Sequence, residues 1–147
     1  MDFSQMLTNF AVALVLGALI GLERELAGKE AGIRTSLMVS GGASLFAMMA
    51  IIAPHLVSPE SSGAALAILA NIVVGVGFLG AGIILKTEER VHGLTTAAVV
   101  WATAAVGALA GIGLLKFAAT TAIIFAGILY LLRKFGIAEK INTKNVT

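Results

Sequence analysis

The chain has 147 residues, of which 59% are hydrophobic and only 12% charged, and its mean hydropathy is +1.00. A soluble domain carries about 25% charged residues, so there are too few here to cover a water-facing surface. The net charge of +2 and the pI near 9.2 do not indicate nucleic-acid binding, because no basic stripe interleaves with aromatics; with no cysteine, a disulfide framework or thiolate metal site is also excluded.

The first apolar stretch covers residues 4–22 and ends at Glu23-Arg24-Glu25. No Lys or Arg precedes it and no small-residue cleavage site follows, so it reads as a retained helix rather than a secretory signal. A second stretch covers 36–53, stopped by Pro54; a third covers 64–85, a fourth 94–110 and a fifth 114–132. Each approaches the ~20 residues that cross a hydrocarbon core of ~30 Å. The prediction is an all-α, polytopic membrane protein: a five-helix transmembrane bundle over 1–134 with a short cytoplasmic tail over 135–147.

The weakest boundary is Gly111-Ile112-Gly113, the only turn signal between the last two stretches. About 39 apolar residues are too many for one span, which favours a tight turn there. Charge supports the same count. With five spans, nine of the ten Lys and Arg fall on one side, Lys116 being the exception. By the positive-inside rule, that side is cytoplasmic and the N-terminus lies outside.

A shift of 61 residues lays Gly21 on Gly82, Gly32 on Gly93, Thr35 on Thr96, Val39 on Val100 and Ala43 on Ala104. This suggests a parallel repeat of two helix–loop–helix units.

Packing signals are clearest in the small residues. Gly17 and Gly21 form a GxxxG pair, Gly107 and Gly111 another, and Ala118, Ala122 and Ala126 make a stripe on the fifth span. Residues four apart share a helix face, so each set permits close approach, either within the chain or in a homo-oligomer, most simply a dimer.

The third span holds Gly75, Gly77, Gly80 and Gly82 within eight residues. Glycine weakens a helix by roughly 1 kcal/mol relative to alanine. The cluster therefore marks either a tight seam or an unwound stretch lining a polar cavity for an ion or small ligand. Asn71 reads as the only strongly polar side chain inside a span.

Glu23 follows the first span closely and needs a partner: Arg24, Arg34 or a bound cation. Glu23 with Glu25 could contribute to a Mg²⁺ site, Mg²⁺ favouring one or two carboxylates with retained waters. A solvated loop with internal ion pairs is the alternative. Thr35-Ser36 and Thr95-Thr96 look like helix caps, and such helix starts also attract anions. Trp101, mid-span, is expected to pack or to face a pore rather than anchor at an interface. No nucleophile–base set and no metal-ligand spacing is present in the sequence, so enzymatic activity and a bound cofactor are not expected.

Four segments carry a resemblance: Ile20-Gly21-Leu22-Glu23-Arg24-Glu25, Ala31-Gly32-Ile33-Arg34-Thr35, Gly75 to Ile84, and Gly93-Leu94-Thr95-Thr96-Ala97-Ala98 with Trp101. In this order and spacing the chain resembles the MgtC/SapB family of bacterial inner-membrane proteins. The resemblance implies a five-span membrane domain, a role in surviving magnesium-poor or acidic conditions, including inside host phagocytes, and association with membrane machines such as the F-type ATP synthase. Two departures stand out. Many members continue into a soluble C-terminal domain where this chain has only Arg133 to Thr147, and Ser36 and Ala110 stand where many members have His and Cys.

Overall fold

A computed structural model describes residues 1–57, 62–86 and 91–135. The element order is α1 (Phe3–Leu26), α2 (Ile33–Val57), α3 (Ser62–Ile83), β1 (Leu85–Lys86), β2 (Val91–His92), α4 (Leu94–Gly111) and α5 (Leu115–Lys134). All five helices are long and apolar enough to cross a membrane. The fold is therefore the expected multi-pass helical bundle, decorated by a two-residue antiparallel ladder pairing Leu85 with His92 and Lys86 with Val91.

Several helices outrun their apolar stretches. α1 starts at an Asp2 cap, whose carboxylate accepts from the Ser4 N–H while the Gln5 side chain accepts from the Asp2 N–H. It then continues through Glu23, Arg24 and Glu25 to Leu26, and α2 runs past Pro54 to Val57. α4 and α5 are separate, joined by a turn in which Gly113 adopts φ +89°, a left-handed conformation that glycine takes without strain. The residues of the 135–147 tail after Phe135, and Arg90 of the third loop, lie outside the described residues.

α4 is the central helix because it contributes to both apolar clusters. On one side Val99, Val106 and Ala110 meet Ala13, Leu16 and Ile20 of α1 and Ala118 and Ala122 of α5. On the other, Val100 and Ala104 meet Ala43 of α2 and Val76 of α3. In lipid there is no hydrophobic drive to join helices, so small residues that bring backbones into contact hold this core.

The glycine pairs lie on seams inside the chain. A Cβ on Gly17 would stand 2.6 Å from both the Ser36 carbonyl oxygen and the Ser40 Cβ, and one on Gly21 would stand 2.7 Å from the Ile33 Cα. Gly107 and Gly111 abut the Ser40 and Ser44 backbone in the same way. Gly17, Gly107 and Gly111 meet one stripe of α2, Ser36, Ser40 and Ser44, whose side chains are completely buried, while Gly21 meets the start of the helix at Gly32 and Ile33. α1 and α4 thus grip α2 from two sides.

α3 is one continuous helix from Ser62 to Ile83. The unwound alternative for Gly75–Gly82 is not the conformation adopted, since helical hydrogen bonds keep backbone groups satisfied without a polar cavity. Nor is this a tight seam throughout. Gly80 meets Ala97 at 3.6 Å from a built Cβ, but Gly75, Gly77 and Gly82 have nothing within 4 Å.

Candidate functional site

One end of the bundle gathers the C-termini of α1, α3 and α5, the N-termini of α2 and α4, and the β1–β2 ladder. Because α1 does not stop at its apolar stretch, its last turns carry Glu23 and Arg24 into contact with other helices, and both are buried. The Arg24 Nη2 donates to the Thr96 Oγ1 at 2.7 Å, joining residues 72 apart in sequence. The Glu23 Oε1 lies 3.6 Å from the Arg133 Nε. That is ion-pair distance but too long for a hydrogen bond, and among the described residues the Glu23 Oε1 and Arg24 Nε have no hydrogen-bond partner. Arg133 also stacks over the Tyr130 ring, 5.5 Å from its centroid.

The partner of Glu23 is therefore neither Arg24 nor Arg34 but Arg133 of the last helix, which sequence reading counted only as a tail charge. Glu25 serves a different purpose. Its carboxylate accepts from the Ile33 N–H at 2.9 Å, capping α2. Two residues apart on a helix, Glu23 and Glu25 point to different sides, so they do not converge as the paired Mg²⁺ ligands considered above.

The threonine caps are corrected as well. α2 begins at Ile33 and takes its cap from Glu25, so Thr35 lies inside the first turn and is exposed. α4 begins after Gly93, which has φ +84° and makes no side-chain cap bond. A Cβ at Gly93 would overlap the Ile83 carbonyl, so the close neck of the β1–β2 ladder requires glycine there. Thr95 is exposed, Thr96 is buried under Arg24, and Ser36 donates to the Ala31 carbonyl at 3.2 Å.

Sequence reading missed three features. Asn9 is a second strongly polar residue inside a span; it is buried and donates to the Gly111 carbonyl at 3.3 Å, tying α1 to the end of α4. The serine stripe was visible as Ser36, Ser40 and Ser44 at four-residue spacing, yet only the glycines facing it drew notice. Thr103, completely buried, donates to the Val99 carbonyl, and Ser40 to the Ala13 carbonyl at 2.7 Å. The Ser44 hydroxyl is buried without a partner among the described residues.

Asn71 is not in the core. It lines a groove of about 530 Å³ between α2 and α3, otherwise walled by apolar residues. Trp101 is 52% exposed and lines a second hollow of about 330 Å³ between α3 and α4. Arg34, at the charged end, is exposed. Ala118 and Ala122 are buried against the bundle and Ala126 partly so.

Five apolar helices with their buried charges confined to one end define a polytopic α-helical membrane protein. The comparison with known proteins narrows this further. The family model described as MgtC matches residues 10–137, and the chain belongs to the MgtC family. It is 45% identical over 123 residues to the protein MgtC of Salmonella typhimurium strain LT2, covering 82% of this chain and 50% of that protein. It is 46% identical over 123 residues to the protein MgtC of Brucella abortus strain 2308, covering 84% of this chain and 49% of that one. The chain thus spans about half the length of the curated relatives it matches. No solved structure matches it.

Proposed function

We propose that the chain is a non-enzymatic protein of the bacterial inner membrane, with its charged end in the cytoplasm, that serves adaptation to low magnesium or acid by engaging membrane partners. The first partner is a second copy of the chain. Family resemblance suggests the F-type ATP synthase as another and Mg²⁺ as a ligand. The observation carrying this reading is the contrast between core and α3. Mid-bundle hydroxyls at Ser40 and Thr103 are committed to backbone carbonyls. The outer side of α3, by contrast, leaves Val74, Gly77, Phe78 and Ala81 exposed. Small residues there allow another helix close approach, which is how membrane helices associate.

The absence of cysteine makes the test direct. A single cysteine at Val74 or Ala81 should give an oxidised dimer in native membranes, whereas one at exposed Ile123 on α5 should not. Equal cross-linking at both helices would overturn the dimer. Mg²⁺ flux into proteoliposomes that depends on Glu23 or Asn71 would overturn the non-transport reading in favour of a carrier.

A further inference from the structure

The larger groove has a length, a wall chemistry and a charged mouth that together specify an occupant. Its α2 wall includes Met38, Gly42, Phe46 and Met49, and its α3 wall includes Asn71 and Gly75. From Met38 to Met49 the helix rises about 16 Å at 1.5 Å per residue. That approximates the hydrocarbon depth of one leaflet, half of ~30 Å. A volume of about 530 Å³ falls within the ~300–1,000 Å³ usual for small-ligand sites. Asn71 is the single polar side chain on the wall, so the matching ligand surface inside the groove is hydrocarbon.

The mouth differs. Arg34 lies one helical turn before Met38 and Thr35 two turns before Gly42, so both continue the groove stripe toward the charged end. Both are exposed, as is Lys86 in β1 beyond the end of α3. The Glu25 carboxylate, at the same end, is engaged at the Ile33 N–H. Among the described residues, the ion pair formed is Glu23 with Arg133, which leaves the Arg34 guanidinium available to an anion. Its planar fork suits phosphate.

We propose that the α2–α3 groove binds an anionic glycerophospholipid of the leaflet at the charged end, with one acyl chain along Met38 to Met49 and the phosphate at Arg34 and Thr35. Gly42 and Gly75 are the determinants of the groove. A Cβ at either meets nothing within 4 Å, so these positions hold space for the chain rather than contacts within the fold. The site lies on the opposite side of α3 from Val74, Gly77 and Ala81, and it does not depend on self-association.

The test is native mass spectrometry of delipidated protein titrated with phosphatidylglycerol or phosphatidylcholine of identical acyl chains. Wild type should retain phosphatidylglycerol in preference to phosphatidylcholine. Gly42→Leu and Gly75→Leu, on opposite walls, should each abolish retention while keeping the wild-type melting curve. Gly127→Leu, on α5 with similarly open surroundings, should retain the lipid. Arg34→Gln should weaken binding about fivefold and erase the headgroup preference, as expected for one basic side chain at an anionic surface. Equal retention of the two lipids by wild type would overturn the proposal. So would retention unchanged in both groove-filled variants, or a dimer that Gly42→Leu dissociates, since the groove would then seat a second copy.

Discussion

The α1–α2 and α3–α4 pairs are built on one register and close to different degrees. Ile33 and Leu94, the first residues of α2 and α4, are 61 apart, and each follows a glycine. In the first pair Gly17 lies against Ser36 and Ser40 and Gly21 against Gly32 and Ile33, so backbones touch. The same shift puts Phe78 at the place of Gly17 and Trp101 at the place of Ser40. Trp101 lines the gap between α3 and α4 where the closed pair has a serine, Phe78 lies exposed on the outer side of α3, and Gly82, the counterpart of Gly21, is left open. A hollow of about 330 Å³ results. A shared helix–loop–helix plan therefore sets direction and register, and side-chain volume at the position held by Ser40 in one pair and Trp101 in the other separates the clamp from the open flank.

The strongest way to break this comparison is to add volume to the closed pair. Gly107→Leu would push a side chain into the Ser40 backbone and should destabilise the bundle by about 3 kcal/mol or more. Reversible unfolding in SDS–detergent mixtures measures it, and Gly82→Leu at the open position should be nearly neutral.

The charged end should follow. Arg24→Ala removes the hydrogen bond to Thr96 together with the packing of a buried side chain, and should cost about 2–5 kcal/mol. Thr96→Val removes one hydrogen bond to a charged group and should cost about 1.5–3 kcal/mol. The same unfolding assay ranks them, and a larger loss in Thr96→Val than in Arg24→Ala would refute the assignment. Arg133→Gln should be milder, because Arg133 is a third exposed on its side of the pair. A loss under about 1 kcal/mol that shrinks with added salt is expected.

The smallest energetic effect, and the sharpest structural one, comes from converting the open pair toward the closed one. Trp101→Ser should shorten spin-label distances between α3 and α4 with little change in stability. Unchanged distances would mean that something other than ring volume separates the helices.

Much of the bundle was legible in the residues. Helix number and the segregation of charge follow from apolar length and from the positions of Arg24, Lys29, Arg34, Lys86, Arg133 and Lys134. The glycine spacing at 17/21 and 107/111 announced close approach, because four-residue periodicity is local geometry. What it approached was not legible. The pairing of Glu23 with Arg133 and of Arg24 with Thr96 links distant residues through lateral helix order, which no local pattern encodes. Thr35 and Thr95 looked like caps by type, but a carboxylate eight residues upstream took one site and a left-handed glycine the other. Asn9 was overlooked in an apolar run because its significance depends on facing the Gly111 carbonyl.

By itself, the sequence determined that this polypeptide crosses a membrane five times, since apolar length and charge placement are one-dimensional quantities that a bilayer reads directly. Only the tertiary structure decided which glycines are gripped and which stand open. Contact depends on how four similar helices are arranged around α4, and helices of nearly equal hydropathy carry no local record of their neighbours.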